Sequence, residues 1–136
     1  MVLIGVDPHK VTHTAVAIDG DETPIARVQV DADRRQVSRL LAWAEPLGAE
    51  RVWAIESAAG LGQLLSQQLV AAGEVVVDVP AALSARARLL GSTKAAKNDP
   101  NDALSAAIVA LRNRDLRVVR ADGHNAVLRF AGRPAP

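Results

Sequence analysis

Val2-Leu3-Ile4-Gly5-Val6-Asp7 is an unbroken apolar run that stops on an acid. Its length suits a strand, and the lack of alternation fits a central strand buried on both faces. No basic segment precedes it and Asp7 interrupts it at once, so it does not read as a secretory signal. Working outward, residues 13–19 (HTAVAID) make a second strand, and Asp19-Gly20-Asp21 gives a turn. Residues 25–30 (IARVQV) alternate, with Arg27 and Gln29 on one side, as a half-exposed third strand does. These three strands read as a meander.

The pattern then changes period. Residues 33–45 are expected to be helical, with Val37, Leu40, Leu41 and Ala44 as the apolar stripe and Pro46 and Gly48 as the stop. Residues 51–55 (RVWAI) form a fourth strand running into Glu56, followed by the small-residue loop Ser57-Ala58-Ala59-Gly60. A helix over 61–72 places Leu61, Leu64, Leu65 and Leu69 on one face and stops at Gly73. Residues 75–79 (VVVDV) are a fifth strand, and Pro80 opens a helix that fades by Leu90-Gly91. A last helix follows Pro100, and residues 116–119 are strand or extended. Periodicity is lost from Arg120 onward, so residues 1–119 read as the domain and 120–136 as an irregular tail. The order β-β-β-α-β-α-β-α-α predicts an α/β fold. It is a mixed five-stranded sheet with helices on both faces, the order of the ribonuclease H-like fold. In such a sheet the first and fourth strands are neighbours, so Asp7 and Glu56 end side by side.

The totals exclude several classes. The chain has 136 residues, 49% of them hydrophobic, enough for one globular domain with a core of its own. It has no Cys, which removes disulfides and thiolate metal sites and suits a reducing cytoplasm. No apolar run approaches membrane-span length. The net charge of +1 hides an asymmetry: residues 1–85 carry six Lys/Arg against eleven Asp/Glu, and residues 86–136 carry ten against four. The basic part suits a polyanion partner or a solvated tail equally well. Two Trp and one Phe are too few for a base-stacking platform.

The stretch Lys97-Asn98-Asp99-Pro100-Asn101-Asp102-Ala103 opens the last helix. Asp99 as N-cap, Pro100 at the first helical position and Asp102 two residues on make an ordinary helix start. A second reading remains open beside it. Leu104, Ala107, Ile108 and Leu111 form one stripe, yet the acid-bearing side continues through Ala103, Ala106, Val109 and Ala110. A helix apolar all round is buried all round, which turns the acids into a protein cleft. Paired carboxylates there need a cation between them, and a hard divalent ion fits oxygen donors. Four acids from three separate segments, Asp7, Glu56, Asp99 and Asp102, are then the candidate metal ligands and catalytic groups. Lys10, Arg86, Arg88, Lys94 and Lys97 are the candidate phosphate contacts.

At this point the spellings GVDPHK, AIESAAG and KNDPNDA resemble the amino-terminal, RuvC-like domain of the DEDD insertion-sequence transposases, insertion-sequence family one-ten. The family's first Asp with its following His-Lys matches Asp7 with His9-Lys10. Its strand-end Glu matches Glu56, and its paired Asp matches Asp99 and Asp102. The resemblance covers about residues 1–120. It implies Mg²⁺-dependent DNA transposition and recombination, with Mn²⁺ as a substitute. For full-length members it also implies a guide-like non-coding RNA and a homo-oligomer. Those members continue into a second domain with a nucleophilic Ser, and Ser57, Ser84, Ser92 and Ser105 match no such nucleophile. The expectation is therefore a fragment that binds metal and nucleic acid without completing strand exchange. A stand-alone junction nuclease and a non-catalytic binding remnant are the rival readings. An actin-like ATPase needs a Gly-rich loop where Pro8-His9-Lys10 stands. A zinc site at His9 and His13 lacks the helical register that motif requires.

Overall fold

The computed structural model describes residues 1–90 and 102–122, with residues 86–90 described as backbone only. Strand β1 (Val2–Pro8) lies at the centre of a five-stranded sheet. It pairs antiparallel with β2 (Thr12–Ile18), which pairs antiparallel with β3 (Pro24–Asp31). On its other side β1 runs parallel to β4 (Arg51–Glu56), which runs parallel to β5 (Val75–Val79). Helix α1 (Gln36–Ala44), extended by a 3₁₀ turn Glu45–Leu47, links β3 to β4. Helix α2 (Gln63–Ala71) links β4 to β5. Helices α3 (Ala81–Leu90) and α4 (Asp102–Arg112) follow. The mixed α/β sheet and its order agree with the ribonuclease H-like expectation. Residues 116–119 are extended, with one bridge from Val118 to Val77 and a hydrogen bond from Val119 N–H to Val76 O (2.8 Å).

Period-2 alternation sorts the strands into two faces. Ile4 and Val6 of β1, Ala15 and Ala17 of β2, and Trp53 and Ile55 of β4 pack with Leu40 and Ala44 of α1 and Leu65 and Leu69 of α2. Leu3, Val16 and Ile18 point to the other face, where they meet Ala103 and Ala107 of α4. Trp53 is fully buried, and its indole N–H donates to Glu74 Oε1 (2.7 Å), the oxygen that also accepts from Arg51 Nε (2.8 Å). The largest core side chain thus enters with its polar atom satisfied.

Two expected stripes are corrected. Leu65 and Leu69 of α2 are buried, but Leu61 and Leu64 are 60% and 65% exposed. The helix begins only at Gln63, so Leu61 sits in the preceding turn, and Ser66 takes the buried position assigned to Leu64. In α4 the most buried side is Ala103, Ala106, Ala107 and Val109, while Leu104, Ile108 and Leu111 are half-buried. The cause is Gly5. A Cβ at Gly5 would lie 1.9 Å from Ala103 O and 2.6 Å from Ala107 N, so the helix backbone rests directly on β1. Only small residues fit such an approach.

The far end of α4 is tied down by charge. Arg112 donates through Nε and Nη2 to the two carboxylate oxygens of Glu22, in the β2–β3 turn (Nη2–Oε1 2.7 Å). That bond holds the Glu22 carboxyl below its ordinary range, opposed by slight burial and helped by the attraction of opposite charges. A lowered carboxylate pKa contributes stability that is complete above the ordinary value and lost as pH falls through the folded one. Arg112→Met should therefore lower the melting temperature at neutral pH. The difference from wild type should close on acidification below the usual carboxylate range. Gly5→Ala should cost about 3 kcal/mol, the upper end for overpacking, because backbone rather than a flexible side chain blocks the new methyl. Gly20→Ala, with nothing within 4 Å of its added Cβ, is the neutral control in the same denaturant titration.

Candidate metal centre

Asp7 and Glu56 arrive by register. In β1, Leu3, Gly5 and Asp7 share the α4 face; in β4, Val52, Ala54 and Glu56 share it too. The strands are parallel neighbours, with Val6 opposite Ile55, so the two acids finish together at the carboxyl edge. Asp102 is the first described residue of α4, and the close packing of that helix on Gly5 sets it above the same edge. One carboxylate oxygen from each of Asp7, Glu56 and Asp102 lies within 4.8 Å of the other two, and all three residues are half-buried. Glu56 Oε2 and Asp102 Oδ1 are closed to solvent. This is an all-oxygen donor set drawn from three separate segments. It fits a hard divalent cation and offers nothing to a soft one.

The loop after Glu56 is braced on every side. Ser57 takes a left-handed conformation, φ +53°. Its N–H donates to Val79 O (2.9 Å), and its carbonyl accepts from Gly60 N–H (2.8 Å) and Gly62 N–H (3.2 Å). Ala58 N–H donates to Asp78 Oδ1 (2.8 Å). Asp78 thus fixes the chain two residues beyond Glu56, a role its place in the apolar run VVVDV could have flagged. At Asp7, the ring of His9 reaches back, Nε2 to Oδ2 2.9 Å. His13 shares no metal geometry with it: its Nδ1 accepts from His9 N–H (3.2 Å), and its Nε2 meets Gln36 Oε1 (2.9 Å).

Of the expected site residues, the structure brings together Asp7, Glu56 and Asp102. Asp99, Lys94 and Lys97 lie outside the described residues. Arg86 and Arg88 belong to α3, where the description stops at the backbone. Lys10 is exposed in the β1–β2 turn, three residues beyond Asp7. The tail expected from residue 120 begins with order: Gln67 Nε2 donates to Arg120 O (2.9 Å), and Asp122 N–H donates to Gln67 Oε1 (2.7 Å). Residues 123–136 lie outside the described residues.

With that geometry in place, a family model for DEDD transposases of insertion-sequence family one-ten, described as transposase, matches residues 4–131. The chain belongs to this transposase family. No curated protein sequence matches it. Among solved structures it is similar to Thermus thermophilus RuvC, at 18% identity over 88% of this chain and all of that one (100%), with a TM-score of 0.64. It is equally similar to T. thermophilus RuvC in complex with a Holliday junction substrate, at 19% identity over 88% and 99% of the two chains, with a TM-score of 0.65. At such identities the likeness establishes the fold. Among the described residues, no helix of this transposase domain is long and apolar enough to cross a membrane.

Three carboxylates this close repel one another when no cation is present. In EDTA, Glu56→Gln should therefore melt above wild type. Saturating Mn²⁺ should reverse the order, because ligand binding to the folded state stabilises only the chain that retains the full donor set. Differential scanning fluorimetry with and without Mn²⁺ reads both halves.

Proposed function

We propose that this chain is the divalent-metal- and nucleic-acid-binding domain of a DEDD transposase acting in DNA transposition and recombination. On this reading residues 1–119 are the domain and 120–136 an irregular tail. The observation that carries the reading is the convergence of Asp7, Glu56 and Asp102 at one sheet edge, within a chain of this family. Asp99 completes the proposed ligand set, and Mg²⁺ is the proposed ion. When bound, such ions activate an attacking oxygen and stabilise the leaving oxygen of a phosphodiester.

The chain's own residues do the positioning. Asp7 and Glu56 present donors from two hydrogen-bonded strands, whose directions are fixed by the sheet. Asp102 presents a third from a helix whose height over the sheet is fixed by Gly5. Lys10, exposed three residues beyond Asp7, and the segment carrying Arg86, Arg88, Lys94 and Lys97 are proposed to hold the phosphate backbone. A guide-like RNA, a homo-oligomer and a cytoplasmic setting belong to the same reading. These residues alone are expected to bind without completing strand exchange, because no serine here matches the family's nucleophile.

A second reading, a stand-alone Mg²⁺-dependent junction nuclease, is favoured by one finding: the fold match includes a RuvC structure in complex with a Holliday junction substrate. Two measurements test the pair. Titration calorimetry should give Mn²⁺ binding that Asp7→Asn and Asp102→Asn each weaken; equal binding by all three chains would remove the centre. A nicking assay with Mn²⁺ on four-way and linear duplexes then separates the readings. Binding that weakens steeply with salt, without cleavage, supports the transposase domain. Junction-specific cleavage abolished by Asp102→Asn would make the chain a nuclease in its own right.

A further inference from the structure

The face of the sheet opposite the acid cluster carries a row of polar side chains inside its core. His13 is only 4% exposed, and its odd-numbered neighbours Ala15 and Ala17 point into the cluster packed by α1 and α2. Gln36, the first residue of α1, is also 4% exposed. Polar groups in such positions are costly unless every one is matched. Here they are matched in sequence. Gln36 Nε2 donates to Gln68 Oε1 of α2 (2.6 Å), and Gln36 Oε1 faces His13 Nε2 (2.9 Å). His13 Nδ1 accepts from the backbone N–H of His9 (3.2 Å). The His9 ring in turn reaches Asp7 Oδ2 (2.9 Å).

The donors fix the direction of the chain. A backbone N–H can only donate, so His13 Nδ1 is the acceptor and the proton of the neutral ring sits on Nε2. Nε2–H then donates to Gln36 Oε1, which leaves the Gln36 amide nitrogen for Gln68. The orientation of each group follows from its neighbour. The line starts on the helices of one face, passes through the β1–β2 turn and ends on a carboxylate of the other.

Resting on the proposed metal centre, we infer that His13, Gln36 and Gln68 are positioning residues for Asp7, acting through the His9 backbone and ring. The helices α1 and α2 thereby set the direction in which Asp7 offers its oxygens. Groups that orient a ligand from outside the coordination shell commonly govern affinity as well as geometry.

The test uses the full chain, with Gln36→Leu and, as a partly buried alternative that spares the core, Gln68→Leu. In metal-free wild type, long-range ¹H–¹⁵N spectra should show His13 as the Nε2–H tautomer. Gln36→Leu or Gln68→Leu should shift the His9 ring signals without metal. Each should also weaken Mn²⁺ binding, read by electron paramagnetic resonance, by roughly tenfold, the low end for outer-shell partners. A purely structural role would lower the melting temperature while leaving the His9 signals and the Mn²⁺ affinity of the folded chain at wild-type values, and would overturn the inference. So would a protonated Nδ1 on His13 in wild type. If wild type binds no Mn²⁺, the metal reading fails, and the metal-free His9 shift alone decides whether the line exists.

Discussion

The contact on which the rest depends is backbone against backbone: α4 lying on β1 at Gly5, with Ala103 O where a Cβ would otherwise stand. It brings the first turn of α4 down to the sheet edge where β1 and β4 end. A larger residue at position 5 lifts the helix and with it Asp102, while Asp7 and Glu56 stay where the sheet holds them. It also dictates composition. The buried side of α4 is Ala103, Ala106 and Ala107 rather than leucines, so this helix gains little apolar area per residue. Its hold comes from proximity, from the flanking half-buried Leu104, Ile108 and Leu111, and from the Arg112–Glu22 pair at the far end.

Much of this was legible in the sequence because the strands obey simple periods. The run Val2–Asp7 has no polar break, which marks it as central, and the alternation in residues 25–30 marks β3 as half-exposed. Element order then supplies the topology, and topology makes neighbours of Asp7 and Glu56. The helices were read less well, for one shared reason. Period counting assumes that only the largest residues face inward, whereas α4 turns its alanines toward the sheet and α2 buries Ser66 beside Leu65 and Leu69. Leu64 and Leu104 are displaced outward by that choice.

The polar interior was the least legible part. Gln36 and His13 are separated by 23 residues, and neither stands in a motif. A glutamine at a helix start reads as solvated until the strand it packs against is known. His13 drew notice only through its spacing from His9, and the relation between them turned out to be a backbone hydrogen bond. Asp78 is the instructive middle case. A lone acid in a five-residue apolar strand conflicts with its surroundings, and such conflicts gather at functional sites. Its carboxylate anchors Ala58 N–H and so the turn that carries the chain away from Glu56.

The three acids are therefore held by three different devices. Glu56 is fixed by the strand ladder and by the braced turn behind it, including a left-handed Ser57 that the surrounding bonds enforce. Asp102 is fixed by a close helix approach that tolerates no added methyl. Asp7 is fixed by the central strand and met by a ring whose own backbone is bonded to the opposite face of the protein. Mutual repulsion works against all three, and a free loop would relieve it by swinging one carboxylate into water. The strands β1 and β4 and the helix α4 that carry them oppose that escape. A divalent cation that binds there meets donors that are already in place.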